Sequence, residues 1–218
     1  YFRRTRGNFR VTQNVAVTPA DFDSYCVTAP VDTRLPGGGG YPVCGLYNVR
    51  PAQFGRSDSV ITLDKNVGTL NEVFDGIDIS VNARLPGGVR FQGGTSTGRI
   101  RDNVCGVVTG HPNVSLPTTN AYAAGSVIPA SPAFCDVTPP FLTQVKFQGS
   151  YPLPWWGLQA SATYQAIPGP QITASWAAPA SAVATGLGRA PSGNVRSVTV
   201  PLVAPGTMYN ARLYQVDM

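Results

Sequence analysis

From Ile77 to Leu85 every second residue is apolar: Ile77, Ile79, Val81, Ala83 and Leu85 alternate with Asp78, Ser80, Asn82 and Arg84. A period of two marks an extended strand whose two faces meet different surroundings. Pro86-Gly87-Gly88 follows, where proline fixes φ and glycine accepts positive φ. Val89, Phe91 and Gly93 then alternate with Arg90, Gln92 and Gly94, before the pattern weakens into Thr and Ser. The segment 76–98 therefore reads as an amphipathic β-hairpin. Any fold of this chain must set something against the apolar face, and a protein core or lipid hydrocarbon would both satisfy it.

The same period recurs along the chain. Residues ~1–17 are expected to form a first strand, with Phe9, Val11, Gln13, Val15 and Val17 in one phase. The opening hairpin covers ~70–86 and ~88–100. In ~141–152, Thr143, Val145, Phe147 and Tyr151 oppose Gln144, Lys146, Gln148 and Ser150. In ~157–167, Leu158, Ala160, Ala162, Tyr164 and Ala166 oppose Gln159, Ser161, Thr163 and Gln165. Residues 171–177 and 195–203 read as weaker extensions, and a last strand is expected from near Met208. Pro, Gly and β-branched clusters interrupt nearly every window, which excludes long helices. "RLPGG" occurs at 34–38 and 84–88 without further self-similarity, and is read as reused turn chemistry.

The connections alternate in length. Long ones fall at ~17–70, ~101–140 and ~168–207; tight ones fall at 86–88 and 152–156. Strict alternation puts every long loop at one end of an antiparallel sheet. That is the layout of an outer-membrane barrel, with short periplasmic turns and long extracellular loops. Nine residues from Ile77 to Leu85 come close to the ~9–11 that a tilted strand needs to cross a bilayer. Tyr151, Trp155 and Trp156 cluster at the second tight turn, where an interfacial aromatic girdle would lie. No run approaches the ~18 apolar residues of a membrane-spanning helix.

Composition fits an ordered β protein with little charge. Of 218 residues 43% are hydrophobic and only 12% charged, about half the usual charged share. The 24 Gly and 20 Pro sit between β-type runs and read as turns. The net charge is +5, but basic residues are scattered apart from "YFRRTRGNFR" at the start. No nucleic-acid module accompanies those arginines, so they are read as one polar strand face and no nucleic-acid partner is expected. The chain opens at Tyr1 without an initiator Met or signal peptide, and it stops within the β-like run "ARLYQVDM". A fragment is therefore expected.

Cys26, Cys44, Cys105 and Cys135 all fall in the first two long loops, and none forms a C-x-x-C pair. The economical pairing is Cys26–Cys44 and Cys105–Cys135, one of three connectivities. Each bridge would constrain a loop, nominally by ~3 kcal/mol, and implies an oxidising compartment. His111 is the only histidine, so neither a zinc site nor a Ser-His-acid triad has its usual parts. No catalytic residue, metal ligand or cofactor-binding residue is assigned, no cofactor is expected, and the chain is not read as an enzyme. Glu72, Asp75 and Asp78 form a small acidic group, read as a solvated strand end. Asn113-Val114-Ser115 matches the short sequon for glycosylation.

The run "YFRRTRGNFRVTQNVAVTPADFDSYCVTAPVDTRLPGGGGYPVCGLYNV" resembles a segment near the C-terminus of large TonB-dependent receptor-like outer-membrane proteins, the Oar-like kind that carry a carboxypeptidase-regulatory-like domain. "FDGIDISVNAR", "GGTSTGR", "FLTQVKFQGSYPLPWWGLQASATYQAIPGPQITASW", "GLGRAPSG" and "VPLVAPGTMYNARLYQVDM" resemble the same family in the same order. The resemblance covers nearly the whole chain. It implies an all-β fold: a partial antiparallel transmembrane β-barrel, a meander of hairpins with tight periplasmic turns and long extracellular loops. Residues 1–218 would be a fragment of one outer-membrane barrel domain lacking plug and signal peptide.

The implied function is a segment of a receptor or transporter barrel, with wall strands and ligand-facing loops for uptake of a bulky solute. Its partners would be outer-membrane lipid, the remainder of the barrel, the plug, TonB through an N-terminal part, and an unidentified solute. Asp78, Asn82, Arg84, Gln144, Lys146, Gln159 and Gln165 would face the lumen. About six crossing strands are too few to close a barrel of that size class. The rival reading is a secreted β-sandwich binding or adhesion module with disulfide-pinned loops. In that fold Ile77, Val81, Leu158 and Tyr164 must pack against a second sheet.

Overall fold

A computed structural model describes residues 1–116 and 132–218. Among the described residues the strands are β1 (Phe2–Arg6), β2 (Arg10–Asn14), β3 (Phe22–Thr28), β4 (Pro42–Val49), β5 (Ser59–Leu63), β6 (Asn71–Arg84) and β7 (Arg90–Asn103). They continue with β8 (Val114–Ser115), β9 (Asp136–Val137), β10 (Leu142–Pro152), β11 (Gln159–Ile167), β12 (Ser175–Pro179), β13 (Ser197–Pro201) and β14 (Leu213–Asp217). Two short helices accompany them, α1 (Cys105–Val108) and α2 (Ala180–Leu187).

One antiparallel sheet dominates, in the order β1-β6-β7-β10-β11-β14, with β9 also pairing to β7. The alternating stretches pair in unbroken register from Asn71↔Asn103 down to Arg84↔Arg90, and from Val145↔Ala166 down to Pro152↔Gln159. The two tight turns lie at one end of this sheet, and the three long connections all leave from the other. Both RLPGG segments adopt the same short 3-10 turn, with φ of 63° and 81° at Gly37 and Gly38 and 78° and 81° at Gly87 and Gly88. A β-carbon is strained at those angles, which is why the motif ends in two glycines. The described strands form no closed barrel; β1 and β14 remain edges.

The long connections are not irregular loops. Their described residues fold into a cap with its own hydrophobic cores. One core joins the β3–β4 hairpin, the β12–β13 hairpin and α2 through Tyr25, Val27, Val43, Leu46, Ala178, Val183, Val200 and Leu202. Another gathers Phe9, Val11, Leu70, Val104, Val107 and Val108 around β2, which pairs with β5 and β8. α2 lies so close on β3 that a β-carbon at Gly186 would sit 1.8 Å from the Cys26 carbonyl oxygen.

Three expectations change here. Residues 1–17 do not form one strand: β1 joins the large sheet and β2 joins the cap, parted at Gly7-Asn8, where Asn8 takes a left-handed φ of 59°. Residues 171–177 and 195–203 do not extend the large sheet; β12 and β13 pair only with each other, because Ala178 and Val200 are drawn into the cap core. The last strand starts at Leu213 rather than near Met208, since Met208, Tyr209 and Asn210 are held in backbone bonds and a bridge to the 170–172 segment.

Candidate functional site

In an antiparallel pair, residues opposite each other share a face. The register therefore puts all seven expected lumen residues on one face. Asp78 lies across from Ser96, which lies across from Gln144; Lys146 pairs with Gln165; Asn82, Arg84 and Gln159 continue the same face toward the tight turns. The face is laced by side-chain hydrogen bonds. Gln92 donates to Gln148 at 3.0 Å, Gln165 donates to Gln215 at 2.7 Å, and the Ser96 hydroxyl donates to Asp78 at 2.5 Å. An open cleft of about 680 Å³ runs between Asn82, Arg84, Arg90, Gln92, Gln148 and Gln159. Among the described residues neither Arg84 nor Arg90 has a carboxylate partner, although the two stand directly opposite each other.

The other face is apolar and bare. Ile77, Ile79, Val81 and Leu85 are 46%, 58%, 46% and 53% exposed. Phe91, Tyr164 and Val216 continue the band across the sheet, and Phe91 stacks on Phe147 with ring centroids 5.3 Å apart. Phe147 also covers Gly93, leaving no room there for a side chain. Tyr151, Trp155 and Trp156 stand exposed at the tight turn. The threonines that interrupt this face are satisfied within the sheet: Thr97 bonds Thr143 at 2.9 Å, and Thr95 donates to the Gln144 carbonyl at 3.1 Å. Both faces of one sheet end are thus open among the described residues.

Glu72, Asp75 and Asp78 are not one cluster, and of the three only Asp78 is solvated. Alternation puts Asp75 on the apolar side and the other two on the polar side. Glu72 and Asp75 are buried, at 2% and 5% exposure. Arg6 pairs with Glu72 at 3.2 Å, and Asp75 takes Arg101 at 2.8 Å, the Tyr1 hydroxyl at 2.9 Å and Arg3 at 3.6 Å. The sequon asparagine, Asn113, is also buried, donating to the Asn14 and Val17 carbonyls.

The cysteines pair as Cys26–Cys44 and Cys105–Cys135, the economical connectivity. The first bridge crosses the β3–β4 hairpin; the second ties α1 to the segment before β9. A residue without any local sequence signal fixes the cap: Arg189 donates to Asp23 at 2.8 Å, to the Asn48 side chain at 2.9 Å and to the Val49 carbonyl at 3.1 Å. The Asp23 carboxyl is held below its ordinary range by hydrogen bonds from Arg189 and then from Arg50. Where cap meets sheet, a cavity of about 410 Å³ opens on the polar side, lined by Phe74, Leu142, Gln144, Gln171, Pro205 and Tyr209.

Among the described residues the His111 imidazole bonds no hydroxyl, thiol or carboxylate, its Nδ1 being buried without a partner. No group of three metal-ligating side chains gathers among them either, and no helix is long and apolar enough to cross a membrane. Protein-family models, curated proteins and solved structures give no match to this chain.

Proposed function

We propose that this chain forms part of the wall and extracellular cap of an outer-membrane β-barrel of the TonB-dependent receptor-like kind, taking part in uptake of a bulky solute. The observation that carries the proposal is the two-faced sheet end: a continuous apolar band with nothing on it, backed by a polar, hydrogen-bonded face. In water such a band is costly at about 25 cal/mol per Å² of apolar surface, and monomers rarely expose a contiguous patch above a few hundred Å². Against lipid it costs nothing, provided every backbone group is paired. The open edges at β1 and β14 therefore call for further wall strands, because each unpaired backbone group in hydrocarbon costs several kcal/mol. The lumen side would hold Asp78, Asn82, Arg84, Gln144, Lys146, Gln159 and Gln165. The disulfide-pinned cap and the cavity beneath it would meet the solute first.

The β-sandwich reading needs a second sheet over Ile77, Val81, Leu158 and Tyr164, and those four side chains are exposed. That observation favours the wall. The test uses the full-length protein in its native host. A wall protein stays in the membrane pellet after carbonate washing and migrates differently on gels before and after boiling in detergent. Release into the wash as a monomer that needs no detergent would replace the wall reading with the sandwich.

A further inference from the structure

Beyond Ile77, toward the cap, the apolar face changes character. The register sets Asp75 across from Arg99 on β7 and from Arg3 on β1, with Arg101 one pleat further on. Phe141, just before β10, follows on the same side, and the Arg99 guanidinium lies 4.3 Å above its ring centroid. Three guanidiniums thus lie around one carboxylate, which only two of them reach. Arg101 and Arg3 both reach Asp75. Arg99 makes no hydrogen bond or ion pair among the described residues, and its Nε is buried without an acceptor. Arg3 and Arg101 keep 54% and 35% of their side chains open.

We propose that Arg3, Arg99 and Arg101 form a binding site for the phosphate of an anionic lipid headgroup, in the leaflet on the cap side. The inference rests on the wall reading of the apolar band. The band fixes where lipid tails would lie, and the cluster stands at the cap end of that band, on the same face, one pleat above Ile77. Headgroups meet a barrel at that level. Guanidinium is the side chain suited to phosphate, through paired N–H donors in a fixed fork. Two positive charges remain after Asp75 is counted, and Arg99 is pre-oriented on Phe141 with no anion of its own. Asp75 already pairs with Arg3 and Arg101, so part of their side-chain freedom is spent before phosphate arrives. Soluble phosphate would meet the same charges but would gain nothing from the band below.

The full-length protein in detergent micelles, doped with phosphatidic acid or with phosphatidylcholine, is analysed by native mass spectrometry for retained lipid. The expected result is preferential retention of phosphatidic acid, reduced at least tenfold by Arg99→Gln and further by Arg3→Gln combined with Arg99→Gln. Arg99→Gln breaks no ion pair and gives up only the stacking on Phe141, and an unchanged denaturant melt of the variant checks that the fold is kept. Equal retention by wild type and Arg99→Gln, or complete competition by millimolar inorganic phosphate, overturns the proposal. A spin label at Ile79→Cys in liposomes separates the two ideas. High oxygen accessibility there with no lipid preference removes the headgroup site and leaves the wall; low oxygen accessibility removes both.

Discussion

One guanidinium ties α2 to the β3–β4 hairpin within the cap. Arg189, just after α2, binds Asp23 on β3 and the Asn48 and Val49 backbone on β4, segments more than 100 positions earlier in the chain. The hydrogen bonds from Arg189, then from Arg50, depress the Asp23 carboxyl in the folded protein. A depressed carboxyl contributes stability that is complete above its unfolded value of about 3.9 and disappears as pH falls through the lower folded value. The cap should therefore loosen at acid pH, below about 4, and Asp23→Asn should remove most of that dependence. Hydrogen exchange of β3 and β4 amides between pH 3 and 6 reads it. An exchange profile indifferent to Asp23→Asn would remove the tie. No sequence pattern announced Arg189, because its partners are distant in the chain and the bond is made only once two hairpins have docked.

At the scale of elements, the question is what lets short pieces pack. α2 rests on β3 at a glycine, and the two effects of filling it oppose each other. Gly186→Ala improves helix propensity by about 1 kcal/mol. Its β-carbon would also sit 1.8 Å from the Cys26 carbonyl, which forces the helix off the hairpin; overpacking costs about 1–3 kcal/mol. The close contact is with backbone, which cannot rotate away, so the cost falls at the upper end of that range and net destabilisation by up to about 2 kcal/mol is expected in a denaturant melt. A stabilised variant would mean that α2 stands off the hairpin. The long strands of the large sheet were legible because alternation ran unbroken for nine residues and each tight proline-bearing turn fixed the register of its hairpin. The cap was not legible for the opposite reason. β12 and β13 have the right pattern but only five residues each, so alternation alone could not say which sheet they join. α2 is short, and its stop signal, Gly188 in the left-handed region at φ 73°, is only one of many glycines. The break at Gly7-Asn8 did leave a signal, since Asn tolerates positive φ, but the apolar phase on either side concealed it.

For the whole molecule, the polar and apolar faces, the one-sided placement of the long connections and both disulfide pairings follow from the same feature: a period-two pattern interrupted alternately by tight turns and cysteine-bearing insertions. The surroundings of the bare sheet end decide between a wall and a sandwich, and the cap, the lumen face and the headgroup site all depend on that choice. Spin labels attached one at a time through cysteines at positions 77 to 84 of the full-length protein in liposomes measure those surroundings directly. The four cysteines of residues 1–218 are held in disulfides and do not compete with the new thiol for the label. A lipid-facing wall predicts high oxygen accessibility at 77, 79, 81 and 83 and low values at 78, 80, 82 and 84, in a strict period of two. Uniformly low oxygen accessibility, as in a packed protein core, would contradict it.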